Sequence, residues 1–503
     1  MSPPVPRASR GFLWLAGTLG LAATAISAIG SWIPSLWGDE AASLLSAKRS
    51  LPSLWTMLGH VDAVHGTYYF GLHWWIRIFG TSPFSLRFPS AIAIGVTVVA
   101  VTLIASRLSS RRVAIAAGII CAVLPRVTYM GEEARSYAFS AAIAAWLTLI
   151  LIEILRRETP PKWLWFAYGG LFSLGIYVFL YLALFAVVHG IILMATRVSK
   201  RLFITWLWTI GIAVVVASPV IVLAISERAQ IAYLDSRSEV TFASLTVGLW
   251  FGSIEFAVLA WALILTALAL AIRRRFGWSR ELPRTRVEGR PMMPSLELVA
   301  ACWLLVPAVI LIASQPLIAV YTARYLSYGA PAAALLIASA VGWIGSRSRW
   351  VLAIAVALVV TSAVPAYLSQ RGEYSKNNSD WSNISEFLKT HASRGDALAF
   401  DETVRPSRRP RLVLHTYPAG VSGLVDVALK TPYFRNKSWQ DTAYTISHAA
   451  ARGRLDGVHR LWLIEYATPE QTDTYGIADL HDLGFVKSAT FYTHSSVIYE
   501  FTR

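Results

Sequence analysis

The sequence predicts an α-helical polytopic membrane protein of about eleven transmembrane helices, followed by a small extracytoplasmic α/β domain. Of its 503 residues, 55% are hydrophobic and only 15% are charged, and the mean hydropathy is +0.52. Soluble globular chains are much less apolar. The apolar residues come in blocks long enough to cross a bilayer, and this pattern ends near residue 369. We therefore predict a transmembrane domain at 1–368 and a separate domain at 369–503.

Hydrophobic runs set the predicted number of spans. The fifth and sixth runs meet at Tyr177–Tyr181 without a polar turn, so they are either two short helices or one bent pair. The runs lie at 11–33, 89–106, 113–128, 137–154, 163–180, 181–196, 203–224, 245–272, 295–314, 327–344 and 350–368.

Basic residues between the runs support the count of eleven. With the N-terminus in the cytoplasm, every basic loop falls on the cytoplasmic side, as the positive-inside rule requires. Merging the fifth and sixth runs would place the later basic loops outside, so eleven spans and an external C-terminus are preferred. The cytoplasmic groups are Arg7 and Arg10; Arg107, Arg111 and Arg112; Arg156, Arg157 and Lys162; Arg197, Lys200 and Arg201; Arg273–Arg290; and Arg347 and Arg349.

This topology gathers the acid-rich loops on the extracytoplasmic face, where cytosolic nucleotides are absent. The first apolar run ends close to Trp37–Ala42, which carries two adjacent carboxylates, and a second pair follows at Gly131–Glu133. Carboxylates are costly in hydrocarbon but tolerated at its aqueous boundary, where one could act on a lipid-borne substrate. A cleaved signal peptide is the competing interpretation of residues 1–33. The acids are Asp39, Glu40 and Asp62; Glu132 and Glu133; and Glu227, Asp235 and Glu239.

The first outer loop (34–88) and the C-terminal domain are both predicted to be structured. Aromatic, amphipathic segments at Leu51–Trp55 and Tyr68–Ile76 are typical of helices in the membrane interface, and we expect them to roof a cavity containing Asp39. In the C-terminal domain, short hydrophobic segments predict one helix and four strands. The helix is Trp381–Thr390, and the strands are Ala397–Phe400, Arg411–His415, Arg460–Ile464 and Ser495–Phe501.

Composition also excludes other classes. The net charge of +16 could suggest a nucleic-acid partner, but the basic residues are scattered between apolar runs without an aromatic-basic stripe, so no nucleic acid is expected. Cys121 and Cys302 lie inside apolar runs, and neither a disulfide framework nor a cysteine metal site follows from them.

Several motifs in order resemble the N-terminal half of the GT-C glycosyltransferases. The resemblance is closest to the branch of protein O-mannosyltransferases and aminoarabinose transferases, which includes bacterial mannosyltransferase-like members. Relatives often have His-Pro-Pro where this chain has His65-Gly66-Thr67. Because of this departure, the family's loop geometry and acceptor preference are not carried over to this chain. The matching segments are Trp37–Ala41, His65–Tyr69, Phe79–Gly80, Leu86–Ser90 and Glu133–Ala138, with a weaker match at Tyr321–Tyr325.

The resemblance implies an enzyme that transfers a sugar from a polyprenyl-phosphate carrier to an acceptor on the outer face. Mannose is the leading sugar and a pentose such as arabinose the alternative, and the acceptor is a glycan, a glycolipid or a protein. An acceptor hydroxyl needs a general base as its oxygen attacks the anomeric carbon, and Asp39 is the candidate. A single displacement would invert the anomeric centre.

The remaining predicted site residues take supporting roles. Glu133 is the second candidate catalytic carboxylate, because it aligns best with the motif, and Glu132, Glu40 and His65 are candidate substrate-binding residues. Arg324, followed by Tyr325, could grip the donor phosphate, since a guanidinium binds phosphate oxygens bidentately. Arg87 and Arg135 are weaker candidates.

Each assignment has a structural alternative. Asp39 and Glu40 could terminate the first helix, although carboxylates at a helix C-terminus oppose its dipole, and Glu132 and Glu133 could cap the following helix at its N-terminus. Arg324 could be an interfacial anchor.

No cofactor or metal is expected, because the candidate acids and His65 lack a tight ligand spacing. A transporter is the rival class, but such proteins place ionisable residues near the bilayer midplane, which is almost uncharged here. A third possibility is a non-catalytic sensor whose outer domain binds carbohydrate.

Overall fold

The computed structural model describes residues 9–227, 240–275, 293–315, 321–467 and 475–503. Its internal contacts divide the chain into two compact units. The first, called here the membrane unit, comprises Met1–Ile29, Val64–Thr67 and Arg87–Leu368. The second, called here the outer unit after the sidedness predicted from the sequence, comprises Gly30–Ala63, Tyr68–Leu86 and Ser369–Arg503. Most of the predicted first outer loop therefore groups with the C-terminal region.

Helices dominate the described chain. In chain order they are α1 (Arg10–Ala28), α2 (Gly38–Lys48), α3 (Leu51–Leu58), α4 (Gly66–Phe79), α5 (Pro83–Leu108), α6 (Arg111–Val123), α7 (Pro125–Gly131), α8 (Tyr137–Leu155), α9 (Lys162–Val178), α10 (Phe185–Ala195), α11 (Lys200–Val216), α12 (Ser218–Ser226), α13 (Ile254–Arg275), α14 (Leu296–Ser314), α15 (Ala330–Ile344), α16 (Arg349–Gln370), α17 (Trp381–His391), α18 (Val413–Thr416), α19 (Ile446–Ala450) and α20 (Ile477–Asp482).

Membrane-spanning helices are confirmed, but the count of eleven is not. In the described ranges, seven helices are long and apolar enough to cross a bilayer, or up to nine if two bent pairs are single spans. The bent pairs are α6 with α7, at 58°, and α11 with α12, at 55°. The predicted fifth and sixth runs form the 17-residue α9 and a shorter apolar helix, Leu180–Ala195. They are separated by an extended residue, Phe179, so two short helices are present.

The sidedness of the loops stays a prediction. Arg280, Arg284, Arg286 and Arg290, which support it, lie outside the described residues, as do Arg7, Asp235 and Glu239.

The bend before α7 follows from proline. Leu124 is extended, and Pro125 begins α7, because the residue before a proline disfavours helical geometry whereas proline itself fits a first helical turn. At the other end of α7, a Cβ on Gly131 would lie 2.4 Å from Ser27 Oγ and 3.1 Å from Ile94 Cγ1. Only glycine lets the end of α7 pack this closely against α1 and α5.

Small residues also set the contact between α1 and α5. A Cβ on Gly20 would lie 2.8 Å from the carbonyl oxygen of Gly95, and a Cβ on Gly95 would lie 2.7 Å from that of Gly20. Such close backbone approach is typical of packed membrane helices. In α15, Ala330–Ala338 is buried throughout, so this helix lies in the interior of the membrane unit.

The outer unit contains a mixed five-stranded sheet with the order β2-β1-β5-β7-β6, and a separate pair of β3 with β4. β1 is parallel to β2 and β5, whereas β7 is antiparallel to β5 and β6. The strands are β1 (Ala397–Phe400), β2 (Val425–Asp426), β3 (Leu429–Thr431), β4 (Thr442–Ala443), β5 (Arg460–Tyr466), β6 (Val486–Tyr492) and β7 (Ser496–Thr502).

These elements confirm the predicted α/β character. The predicted helix at 381–390 and the strands at 397–400, 460–464 and 495–501 are present as α17, β1, β5 and β7. The predicted strand Arg411–His415 is wrong, because Pro410 starts a 3₁₀ turn that runs into α18. Proline lacks the N–H that a strand would need there. The mostly exposed β6 was not predicted, since it lacks a hydrophobic alternation.

Candidate active site

The first pair of predicted acids, Asp39 and Glu40, lies in the first turn of α2. The structural alternative, that they end the first helix, is wrong, because α1 stops at Ala28 and Gly30 turns the chain with a φ of +76°. At a helix N-terminus the dipole stabilises a carboxylate. Glu40 is fully buried, whereas Asp39 is half-buried. The first turn of α2 therefore places the Asp39 carboxylate where the helix dipole favours negative charge.

Close packing within the outer unit fixes the backbone before Asp39. A Cβ on Gly38 would lie 2.2 Å from the carbonyl oxygen of Ser407, so the residue must be glycine. Leu36 N donates to Tyr417 Oη at 2.8 Å, and Ser379 Oγ donates to the Leu36 carbonyl at 2.6 Å. These bonds anchor the start of α2 to the C-terminal part of the same unit.

The end of α2 is anchored as firmly. Lys48 Nζ donates to the His415 carbonyl at 3.0 Å. The buried Arg49 guanidinium donates to the Asn436 carbonyl at 3.0 Å and also to the carbonyls of Tyr433 and Ser438. Burial lowers the pKa of Arg49 to about 10. Asp39 is thus presented by a helix fixed at both ends.

The second pair of acids belongs to the membrane unit and follows α7, in a segment called here the acidic turn (residues 131–136). Glu132 is the C-terminal capping residue of α7, and α8 has Ser136 at its N-cap, so the capping role considered for the two glutamates is wrong. Both side chains are buried, with Glu133 at 3% exposure. Ser90 Oγ donates to the Glu133 carbonyl at 2.7 Å, which fixes the turn.

Three basic side chains gather in the membrane unit: His65, Arg135 and Arg324, called here the basic cluster. Arg135 Nη2 lies 3.2 Å from His65 Nε2. Because a guanidinium can only donate, His65 Nε2 accepts this bond and the ring proton is assigned to Nδ1. Burial, together with the positive charges of Arg135 and Arg324, holds the pKa of His65 well below its ordinary value. His65 is therefore neutral at pH 7.

Arg324 lies on a 3₁₀ turn, Ala323–Gly329, that contacts α7 and α8. Ser327 Oγ donates to the Arg324 carbonyl at 2.7 Å. The ring of the next residue, Tyr325, stacks on Tyr181, with centroids 5.1 Å apart and planes inclined by 29°. The turn thus places Arg324 and Tyr325 beside the helices that flank the acidic turn.

Arg126 in α7 is a residue that the sequence analysis missed. Its Nε donates to the Leu249 carbonyl at 3.0 Å, its Nη2 donates to the Gly248 carbonyl, and Glu133 is among the groups whose charge acts on it. A charged residue just inside the end of the run 113–128 was a usable signal, because ionisable residues in membrane spans are usually functional. Arg87, a weaker candidate, is fully buried in α5.

The predicted site residues are thus distributed over both units. The basic cluster, the acidic turn and Tyr325 belong to the membrane unit, and Asp39 and Glu40 belong to the outer unit. Among the residues that the structure describes, no group of three or more His, Cys, Asp or Glu side chains could hold a metal ion.

Comparison with known proteins identifies the fold. Residues 68–223 match the family described as dolichyl-phosphate-mannose-protein mannosyltransferase. A search of proteins with curated functions finds no significant match. The crystal structure of ArnT from Cupriavidus metallidurans bound to undecaprenyl phosphate is 12% identical with a TM-score of 0.57, and the alignment covers 98% of each chain.

Two further structures are similar. The apo state of the same ArnT gives a TM-score of 0.55, with 12% identity and 98% coverage of each chain. Arabinofuranosyltransferase AftD from mycobacteria gives a TM-score of 0.49 at 17% identity, covering 99% of this chain and 40% of that one. The predicted resemblance to GT-C glycosyltransferases is confirmed by the family match and the ArnT fold, and with it the enzyme class of glycosyltransferase.

Proposed function

We propose that this protein transfers a sugar from a polyprenyl-phosphate donor to an acceptor hydroxyl on the extracytoplasmic face of the membrane. The observation that carries the proposal is the basic cluster beside the acidic turn in a unit of membrane-spanning helices. Arg135 and Arg324 both act electrostatically on His65, so their positive charges converge on one small region. Converging guanidinium groups at a partly buried site suit a lipid phosphate, which must be bound as an anion and released as one.

The proposed step is a single displacement. The acceptor oxygen attacks the anomeric carbon, its proton passes to the Asp39 carboxylate, and the bond between the anomeric carbon and the phosphate oxygen breaks. The electron pair leaves with the polyprenyl phosphate, and the configuration at the anomeric carbon inverts. Arg324 and Arg135 stabilise the charge that develops on the phosphate, and no metal is assigned to this role.

The other site residues would orient the reactants. Neutral His65, held at Nε2 by Arg135, would help to position the Arg135 guanidinium toward the donor phosphate. Glu133 and Glu132 would bind sugar hydroxyls, and Glu40 would support Asp39 from the same helix turn. The Tyr325 ring, stacked on Tyr181, offers an aromatic surface to the sugar.

Mannose is the preferred sugar, because the matching family transfers mannose from dolichyl phosphate by its own description. A pentose of the arabinose type is the alternative, and the ArnT-like fold along the whole chain favours keeping it in the test. The acceptor is a glycan, a glycolipid or a protein.

The test is transfer by the purified full-length protein in lipid nanodiscs. Polyprenyl-phosphate mannose, arabinose, aminoarabinose and glucose are each offered with extracted membrane acceptors, and the products are identified by mass. A mass increase of one sugar that depends on the donor supports the proposal. Failure of the parent protein to transfer sugar from any of the four donors would refute it.

The proposed orientation has its own test. Ser109, exposed between α5 and α6, is predicted to be cytoplasmic, and Lys430 in β3 is predicted to be extracytoplasmic. The native Cys121 and Cys302 are both buried, so Ser109→Cys and Lys430→Cys can be labelled in the natural background. A membrane-impermeant thiol reagent applied to whole cells should label only Lys430→Cys. Labelling of Ser109→Cys alone would reverse the topology.

A further inference from the structure

Arg126 has an unusual environment for a charged residue of a membrane helix. Its guanidinium donates to two consecutive backbone carbonyls, with Nε 3.0 Å from the Leu249 oxygen and Nη2 bonded to the Gly248 oxygen. The guanidinium carbon lies 5.7 Å from the centre of the Tyr129 ring. Partial burial of a guanidinium costs desolvation free energy unless hydrogen bonds replace its lost water. The pair of bonds from Arg126 to two carbonyls is therefore a specific contact.

The gripped carbonyls belong to a segment called here the π turn (residues 244–250), which includes a π-helical turn at Ser244–Gly248. Carbonyls at the C-terminal end of a helical turn lack partners within it and attract a cation. A third carbonyl of this segment, that of Thr246, accepts from Trp261 Nε1 at 2.7 Å. Side chains of other helices therefore hold the π turn through its backbone.

The π turn also contacts the segment that carries Arg324. Ser244 Oγ and Tyr321 Oη form a hydrogen bond of 3.2 Å. At the other end, a Cβ on Gly329 would lie 3.1 Å from Trp250 Nε1, so the indole packs directly on the end of the 3₁₀ turn. The π turn thus supports both ends of the nine residues that contain Arg324.

Arg126 connects this support to the acidic turn. It lies on α7, the helix that ends at Gly131 immediately before Glu132 and Glu133. The Arg126 side chain therefore connects α7, which leads into the acidic turn, to the π turn, which contacts the segment carrying Arg324.

We infer that Arg126 is a positioning residue. Its guanidinium holds the π turn against α7 and so sets the distance between the acidic turn and Arg324. This inference rests on the proposed function. Donor binding depends mainly on the phosphate contacts of Arg324, whereas transfer also requires the acids and the arginine to lie in one geometry. Misplacement of about 1 Å can cost about 100-fold in rate. Loss of the grip should therefore lower kcat more than it lowers donor affinity.

The experiment compares Arg126→Lys and Arg126→Met with Arg107→Lys as a matched control. Arg107 is also a partly buried arginine of a membrane helix, but it pairs with Glu153 at 2.6 Å, away from the acidic turn in sequence. Lysine keeps the charge at position 126 but cannot reach two carbonyls in one plane. We expect kcat to fall about 10-fold or more in Arg126→Lys and further in Arg126→Met, with donor Kd within about 3-fold of the parent. Arg107→Lys should keep the parent kcat.

A double-mutant cycle tests whether Arg126 acts through the π turn. Tyr321→Phe removes the hydrogen bond to Ser244, and its effect on kcat should be less than additive with that of Arg126→Lys, because both changes release the same segment. Additive effects would overturn the inference. So would a parent-like kcat in Arg126→Lys, or a loss of donor affinity as large as in Arg324→Lys, which would make Arg126 a direct phosphate ligand.

Hydrogen exchange provides a readout that does not depend on turnover. Backbone amides of residues 244–251 and 321–329 should exchange faster in Arg126→Lys than in the parent, while those of α5 near residue 107 do not change. If the parent transfers no sugar at all, the proposed function fails, and unchanged exchange in these two segments would separately overturn the positioning role.

Discussion

The two acidic segments of this protein, Asp39–Glu40 and Glu132–Glu133, look alike in sequence but have opposite helical settings. Asp39 and Glu40 occupy the first turn of α2, where the helix dipole favours negative charge. Glu132 and Glu133 follow the last turn of α7, where the dipole disfavours it. The structural alternatives weighed from the sequence placed the first pair at a helix C-terminus and the second at an N-cap, and both alternatives are wrong.

This difference suggests a division of labour. The dipole favours negative charge on a carboxylate in the first turn of a helix, and a general base must be an anion before it accepts a proton. The carboxylates after α7 lie instead among arginines, with Arg126 acting on Glu133. Their geometry depends on the surrounding positive charges, so they suit an orienting role in which substrate groups and arginines share one network.

The largest expected effect comes from Asp39, because removing a general base costs about 10²-fold to 10⁴-fold. Asp39→Asn keeps the shape and the first-turn position but cannot accept the proton, so kcat should fall at least about 100-fold. Donor affinity, measured by binding of the labelled polyprenyl-phosphate sugar, should stay near the parent value. Glu133→Gln is the matched change in the other segment and should impair donor or acceptor binding as well. Equal kcat in Asp39→Asn and the parent would remove Asp39 from the mechanism.

A second effect concerns Arg324, the cation beside the acidic turn. Hydrogen bonds to a charged group contribute about 1.5–3 kcal/mol, so Arg324→Ala should weaken donor binding about 10-fold to 100-fold. Arg324→Lys keeps the positive charge but loses the planar guanidinium, so its donor affinity should lie between those of the parent and Arg324→Ala. The measurement is a donor Kd together with kcat. Parent-like values for both variants would make Arg324 only an interfacial anchor, and Arg135 and then Arg87 would be tested next.

The glycines that precede the acids offer a stability comparison. Gly38→Ala places a methyl group 2.2 Å from the backbone oxygen of Ser407, whereas in Gly131→Ala the methyl meets the side-chain oxygen of Ser27 at 2.4 Å. Backbone yields less readily than a serine side chain, so Gly38→Ala should be the more destabilising, at about 1–3 kcal/mol.

Thermal unfolding of both variants in detergent measures this difference. Gly131→Ala combined with Ser27→Gly provides the control, because it removes both Ser27 atoms in conflict, Oγ at 2.4 Å and Cβ at 2.6 Å. Equal melting temperatures for Gly38→Ala and the parent would mean that the packing of α2 against Ser407 is loose.

The smallest effect is the pH dependence that His65 gives to the membrane unit. The pKa of His65 in the folded protein lies below its value of about 6.5 in the unfolded chain, because burial and two arginines oppose its charge. The stability associated with neutral His65 is therefore complete above pH 6.5 and is lost as the pH falls toward the lowered value. His65→Gln can still accept from Arg135 but does not titrate. The decrease in Tm between pH 7.5 and pH 5.5 should be smaller in His65→Gln than in the parent, and an equal decrease would contradict the assignment.

Much of the fold was predictable because the bilayer imposes strong rules. All eleven apolar runs contain helix, and β1 begins and ends at the predicted residues. The error at Arg411–His415 arose because the stop signal of Pro410 was overlooked and because the pairing of buried Arg411 with Glu402 and Asp426 is not visible in the sequence. The gap between Ala28 and Gly38 was hidden because Ile29, Trp32 and Ile33 continue the apolar run although the helix has ended.

For the candidate site, the sequence indicated which residues to consider but not which residues they contact. Asp39, Glu133, His65 and Arg324 could be chosen from motifs, because carboxylates and cations are conspicuous beside apolar runs. His65, Arg135 and Arg324 come from three segments far apart in the chain. Only the folded structure shows that the two arginines act electrostatically on the histidine. Arg126 escaped notice because its two acceptors are backbone carbonyls, which carry no residue identity.

The sequence by itself determined that this chain forms membrane helices followed by an α/β domain, and it predicted that acids and arginines carry the chemistry. Hydrophobic length and charge bias are local properties, and the bilayer converts them directly into spans. Only the tertiary structure decided which helix end each acid occupies, which arginine meets which carbonyl, and that Gly38 and Gly131 must lack a side chain. Those outcomes depend on interatomic distances of about 2–4 Å between segments distant in sequence, where one methyl group or one hydrogen bond selects the arrangement.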